Sequence, residues 1–417
     1  MSPTSKRPSS PEHSSFTPIF FLLIAVRLWI SFTDVSEILK NDQQLSSPLT
    51  SFSQLKEGIF LFNHDIDPYS GGSFRHSPLL LSFFATVLPS SRRLASALWT
   101  ASDAVGAWAL VEIWRARQNL RRSSRDLLVA ASYLLNPYLF LPSLALSTSS
   151  LENTALLLSI MFACNGKASA SLFLLSSVIH LSFSSGVMLL PILLLLITDP
   201  HSHIASPKPL STPLKKAYPL LGEFLFYMGI LTLISTFVAG SWSWIPQTWG
   251  ATLTLPDLAP NTGLWWYFFT EMFDHFRPFF LMVFTVHLFI YVVPVCLKFQ
   301  HDALYAVFIM LGILGTFKPY TTLSDPGLFL TVFAIFPEIY PYMRYPIVTV
   351  LLHLHASLLM PLFHHLWLSQ GTGNANFFYA STLVFACANG AALVDCIWPG
   401  LRIAIGPHVE GYSIVQE

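Results

Sequence analysis

The sequence predicts an all-α polytopic membrane protein with about twelve transmembrane helices, and three observations carry that prediction. Apolar stretches recur along all 417 residues, 53% of which are hydrophobic. Charged residues make up only 11%, against roughly 25% in an ordinary soluble domain. Lysine and arginine are shared unevenly among the polar loops, which sets a parity for the crossings. The formal net charge of zero argues against a nucleic-acid partner. Cys164, Cys296, Cys387 and Cys396 lie in or beside apolar segments and read as small buried hydrophobes.

Residues 1–15 form a polar, Ser/Pro-rich tail expected to be disordered. Residues 16–32 are long enough for a signal anchor, with Pro18 in the first turn. The one charge of this segment, Arg27, either snorkels or faces another helix. A long polar loop follows at 34–77. The apolar run 79–88, between Pro78 and Pro89, is too short to span and is expected in the interface. The second span, 94–114, runs into five arginines between Arg115 and Arg125, which the positive-inside rule places in the cytosol.

Further spans are expected near 127–146, with a kink at Asn136-Pro137, then at 151–164, 168–183, 184–198, 219–239, 279–297, 303–317, 327–342, 346–368 and 377–398. This parity puts both termini in the cytosol, with fourteen lysines and arginines cytosolic, seven lumenal and one in the membrane. One membrane domain, 16–398, thus carries lumenal loops at 34–77, 240–278, 318–326 and 369–376, followed by a cytosolic tail at 399–417. The sizeable polar loops are lumenal, so function is expected there.

The chain is organised around 256–280, PDLAPNTGLWWYFFTEMFDHFRPFF, where aromatic rings alternate with Glu271, Asp274, His275 and Arg277. That mixture suits the headgroup level of a bilayer. Glu271, Asp274 and His275 have the spacing of one helical face, with Trp266, Phe269 and Phe273 opposite, free for lipid or a partner. Asp65-Ile66-Asp67 resembles a pair that holds a divalent cation against a phosphate-bearing donor, or else forms a solvated acidic turn. Ser77 and Pro78 read as the start of a helix, and Arg75 and His76 sit where an anionic headgroup could dock on it. His353, His355, His364 and His365 read as packed or interface histidines. Lys318 and Asp325 flank a short turn. Pro337, Pro341 and Pro346 break the span holding Glu338, which either lines a cavity or packs as a kinked helix.

The blocks PDLAPNTGLWWYFFTEMFDHF, DPYSGGSFRHSPLL, YLLNPY, FKPY and HHLWLSQGTGNANFFYA resemble the GPI transamidase subunit U (PIG-U) family, in order over roughly 55–400. The resemblance implies a membrane fold similar to the GT-C class, with a long lumenal first loop, in the endoplasmic reticulum. It implies a non-catalytic subunit that binds and presents the GPI lipid, in company with subunits K, T, S and the GPI-attachment (GAA-type) subunit, and no cofactor, metal or catalytic residue. Lipid-binding residues are then expected at Asn374, Asn376, Phe377, His275, Phe276, Arg277 and Phe279. Asn amides both donate and accept, Arg277 and His275 meet phosphate, and the phenylalanines lie along acyl chains. For Asn374 and Asn376, turn chemistry after Gly371 and Gly373 is the rival reading. The alternative function is a GT-C mannosyltransferase using Asp65 and Asp67.

Overall fold

The computed structural model describes residues 16–87, 91–210, 212, 214–407 and 411–412; the 1–15 tail lies outside them. The described chain is helical throughout. It begins with α1 (Phe16–Ser31), α2 (Val35–Leu39), α3 (Phe52–Asn63), α4 (Pro78–Thr86) and α5 (Arg92–Gln118). Then come α6 (Asp126–Leu134), α7 (Pro137–Leu144), α8 (Ser149–Cys164), α9 (Ala168–Leu181), α10 (Leu189–Ile197) and α11 (Ala217–Ala239). The remainder comprises α12 (Trp244–Thr254), α13 (Trp265–Thr270), α14 (Arg277–Ile290), α15 (Val292–Lys298), α16 (Ala303–Phe317), α17 (Ser324–Val332), α18 (Pro346–Leu368) and α19 (Ala375–Ile405).

Every apolar segment expected to span holds helix. Five stretches are long and apolar enough to cross a bilayer: Arg92–Gln118, Leu214–Ala239, Arg277–Lys298, Pro346–Leu368 and Ala375–Ile405. A sixth arises if α6 and α7 count as one span, and shorter apolar helices of 10–17 residues, such as α1, α8, α9 and α16, fill the bundle between them. α4 is as short as its flanking prolines dictate. Two boundaries differ from expectation. The 240–278 loop contains α12 and α13, and α19 continues through Pro399 to Ile405 instead of ending at 398.

α6 and α7 meet at 49°. Pro137 has no N–H to donate, and the Tyr138 N–H goes to Asn136 Oδ1 at 3.0 Å, so the Leu134 carbonyl loses its helical partner. Arg27 of α1 supplies the replacement, donating to Leu134 O, while its other guanidinium nitrogen pairs with Asp103 of α5. Ser143 of α7 donates to the same carboxylate. Arg27 therefore faces neighbouring helices and is buried.

α16 is the axis of the bundle, buried from Ala303 to Thr316. At its start Asp302 accepts both terminal nitrogens of Arg117 at 3.1 and 3.0 Å, and Arg117 also holds Glu338 at 2.6 Å. Ser202 and the backbone of His203 complete this cluster. Glu338 is thus a partner of a buried arginine rather than a cavity lining. The contact puts the arginine loop, the 198–212 loop, the α15–α16 connection and 337–342 on one face of the molecule. The opposite face collects 34–77, 240–278, 318–326 and 369–376.

Replacing Arg27 with Leu strands a buried carboxylate and an orphaned carbonyl, and should cost about 3–5 kcal/mol of stability. Adding Asp103→Leu to that variant should recover part of the loss. Thermal unfolding of the purified protein in detergent checks this, and a double variant no better than the single one would reject the pairing as the cause.

Candidate functional site

Four of the blocks that stand out in the sequence meet on the face bearing the first loop, and the fifth, 133–138, forms the α6–α7 kink. Arg75, from the SGGSFRHSP turn, donates to Asp257 Oδ2 at 2.8 Å and to the Gln247 side chain. His76 Nε2 lies 2.8 Å from Ser51 O. Both groups are buried and committed to the scaffold, so the anion-docking role expected for them on α4 is overturned. Ser77 occupies the cap position without a side-chain cap bond.

The PDLAPNTG segment leaves α12 through Leu255 in a left-handed conformation and packs against the FKPYTT turn. Asp257 N donates to Tyr320 Oη at 3.3 Å, and Thr262 Oγ1 donates to Thr321 O at 3.2 Å. Asn261 Oδ1 accepts the Gly263 N–H at 2.8 Å. A Cβ on Gly263 would stand 2.9 Å from that same Oδ1 and 3.2 Å from Thr321 Oγ1, which is why glycine sits there. Trp265 Nε1 then donates to Phe317 O at 2.9 Å. The turn is itself pinned from below. Lys318 Nζ lies 2.8 Å from Asp325 Oδ1 and 3.5 Å from Glu152 Oε2. Burial opposes the charge on Lys318, but Asp325 and Glu152 outweigh it and hold its ammonium pKa above the ordinary lysine range.

Trp265, Trp266 and Phe269 are buried, not presented to lipid. Trp266 stacks with Trp367 at 17° and packs on Phe378, tying α13 to α18 and α19. Tyr379 Oη donates to Leu264 O at 3.0 Å, and Tyr267 Oη donates to Asn376 Oδ1. α13 stops at Thr270, and α14 begins only at Arg277. Glu271, Asp274 and His275 therefore lie in a break between helices, and the shared helical face expected for them does not exist.

That break separates two open grooves. One, about 370 Å³, is lined by Tyr267, Phe268, Glu271, Met272, Phe276 and Tyr379, with Phe273 and Phe280. The other, about 600 Å³, runs along α14 past Leu253, Pro278, Leu281 and Met282 and carries Asp274 and Arg277 at one end. Arg277 pairs with Asp274 at 2.9 Å, and its buried Nε has no hydrogen-bond partner among the described residues.

The expected lipid-binding residues distribute accordingly. Phe276 lines the first groove, and Asn376 joins it through Tyr267. Arg277 belongs to the second groove. His275 packs tilted on Phe276 with centroids 4.0 Å apart, and Phe279 meets Phe280 edge-on at 5.3 Å. Phe377 stacks on Phe363, away from both grooves. Asn374 caps α19, accepting Phe377 N at 3.3 Å, so turn chemistry describes it. Tyr267 and Tyr379 are the residues that sequence reasoning passed over. Both stand inside the quoted blocks, but their meeting across 112 positions has no local signal.

Asp67 Oδ1 accepts Tyr69 N at 2.9 Å, and Asp65 adopts φ 56°; the pair shapes an exposed turn. Among the described residues no three His, Cys, Asp or Glu side chains are set to hold a metal. His353 bonds Asn389 at 3.0 Å, His355 bonds Leu351 O at 2.7 Å, and His364 packs on Phe378.

A family model described as GPI transamidase subunit PIG-U matches residues 21–385. The chain is similar to a protein of Saccharomyces cerevisiae named GPI transamidase component GAB1, 36% identical over 94% of this chain and 96% of that one. It is 30% identical to the human GPI-anchor transamidase component PIGU, over 92% and 93% of the two chains. A Schizosaccharomyces pombe protein named GPI transamidase component GAB1 homolog is 31% identical over 88% of each.

Burial drives the His76 pKa down to about 4, with the Ser51 carbonyl opposing only in part. The imidazole is neutral in the fold, whereas an unfolded histidine titrates near ~6.5. Its contribution to stability is therefore complete above about pH 6.5 and lost as pH falls towards about 4. A His76→Gln variant should show a shallower decline of melting temperature between pH 7.5 and 5 than the wild-type chain. Parallel declines would remove His76 as the titrating group.

Proposed function

The chain belongs to the GPI transamidase subunit PIG-U family, and from that premise we propose that it binds the GPI lipid along the Tyr267–Asn376 groove and presents it for transfer to protein C-termini. It is a component of the GPI transamidase and a polytopic membrane protein. Its part in the reaction is positioning rather than bond-making, with cleavage and transfer left to the cysteine-protease-like subunit K. Subunits T, S and the GAA-type subunit are its further partners. The membrane is that of the endoplasmic reticulum, with both termini cytosolic and the groove on the lumenal face.

The observation that carries this reading is one aromatic groove built jointly by two sequence blocks far apart in the chain, 256–276 and 364–380. A GPI joins a phosphate- and hydroxyl-rich glycan to apolar chains, so its site must be apolar along one side and polar at its rim. Phe268, Phe276 and Phe280 provide the apolar side. The Asn376 amide and the Tyr267 hydroxyl stand at the rim, suited to sugar hydroxyls. Arg277, in the second groove across the break, is held by Asp274 and keeps an unpartnered Nε, and its guanidinium suits a phosphate there. α14 continues from the groove as a largely exposed apolar helix, a path for acyl chains.

The test is rescue of cells lacking this subunit, scored for surface GPI-anchored proteins and for accumulated free GPI. The wild-type chain should restore anchoring. Asn376→Ala, Phe276→Ala and Arg277→Ala should each assemble with the complex yet lower anchoring by about five- to tenfold, consistent with the loss of one charge-assisted or packed contact. Normal anchoring by all three would refute the groove. Relief of a block in GPI mannosylation, abolished by Asp65→Ala, would instead favour the mannosyltransferase reading.

A further inference from the structure

A second built pocket lies on the opposite face, where α10 and α15 end and α11 begins. Its volume is about 400 Å³, and its walls come from the described residues of the 198–212 loop and from Gln300 and His301. The loop is fastened on both sides of the opening. His203 N donates to Asp302 Oδ2 at 3.1 Å, Ser202 Oγ donates to Glu338 at 3.1 Å, and Leu210 N donates to Gln300 Oε1 at 3.3 Å. Asp302 and Glu338 are the partners of buried Arg117, so the pocket rests on one of the fixed points of the fold.

Its lining has a mixed character. Asp199 is a carboxylate already approached by His201 Nδ1 at 3.1 Å and His203 Nε2 at 2.8 Å. Lys208 supplies an exposed ammonium, and His301 a second imidazole beside it. Burial holds the His301 pKa below its ordinary value, with Asp302 opposing and His203 and Lys298 reinforcing. Ile197, Pro209 and Leu210 form the apolar remainder. A simple anion would meet Asp199, and a simple cation would meet Lys208. A ligand carrying both signs satisfies both. The apolar wall continues into Ile197, the last residue of an apolar helix, and headgroups are met where apolar helices of a membrane protein end.

We propose that this pocket binds the headgroup of an aminophospholipid, its primary ammonium donating to Asp199 and its phosphate diester accepting from Lys208 and His301. A primary ammonium has three donors, whereas a trimethylammonium has none. Ethanolamine lipid should therefore be preferred over choline lipid, and over glycerol lipid, whose anionic headgroup brings no ammonium to Asp199.

The experiment is native mass spectrometry of the full-length protein in detergent with added phosphatidylethanolamine, phosphatidylcholine or phosphatidylglycerol. Phosphatidylethanolamine should bind about tenfold more tightly than the other two, the scale of one charge-assisted contact. Lys208→Ala should remove about tenfold of that affinity. Lys215→Ala, outside the pocket lining, should remove none. Asp199→Asn should erase the preference over choline lipid while leaving affinity for phosphatidylglycerol unchanged or raised, a pattern that misfolding would not produce. Equal binding of all three lipids, or indifference to Lys208→Ala, overturns the proposal. Binding of free glycerophosphoethanolamine as tightly as the lipid also overturns it, in favour of a soluble phosphoethanolamine ester.

Discussion

The central helix is too short for its position, and the rest of the structure answers that constraint. α16 has 15 residues, a length of about 22 Å against a hydrocarbon core of about 30 Å. Its ends stop inside the protein, and each carries a charge: Asp302 before the first turn and Lys318 after the last. Each sign suits the helix dipole at its end, but isolated charges there would be costly. Arg117 pairs with Asp302 at one end and is shared with Glu338, and Asp325 and Glu152 face Lys318 at the other. These partners come from α5, α8, α17 and the turns after it, so pairing two charges fixes the order of helices around the axis.

The candidate groove inherits its placement from the Lys318 end. Lys318 holds the FKPYTT turn, and that turn receives Asp257, Thr262 and Trp265 through three hydrogen bonds. The next residues cannot simply continue as helix towards α14. Trp266 is pulled into the α18–α19 pair by stacking, and Tyr267 by its bond to Asn376. The chain must break between Thr270 and Arg277 before it can turn into the membrane. The exposed Phe273 and Phe276 belong to this break, so the aromatic wall follows from the geometry of the anchor beneath it.

This hierarchy explains what the sequence discloses. Helical segments are local facts, and apolar length, Pro137 and the arginine run at 115–125 reveal them directly. Loop sidedness is an expectation that rests on charge counts alone. Pairing is neither. Arg75 reaches Asp257 across 182 positions and Arg117 reaches Glu338 across 221, so groups that look available for ligands are already spent. Glu271, Asp274 and His275 mislead for the opposite reason: their spacing is helical, but tertiary anchoring on both sides overrides it. Asn376 is visible in its block, yet its relation to Tyr267 depends on how α13 and α19 meet.

The allocation of polar groups bears on what kind of site this face can be. Arg75, His76, Asp257, Lys318, Asp325 and Glu152 all lie near it, and all are occupied in joining one block to another. Acid–base chemistry needs groups free to exchange protons at a substrate, held close together by rigid elements. Here the rigid elements hold the buried committed groups, and the ionisable groups of the 271–277 break, with Arg277 paired to its exposed neighbour Asp274, lie beside phenylalanine rings. That arrangement suits recognition of an amphipathic molecule, whose apolar length settles on exposed rings while a few edge groups select its headgroup.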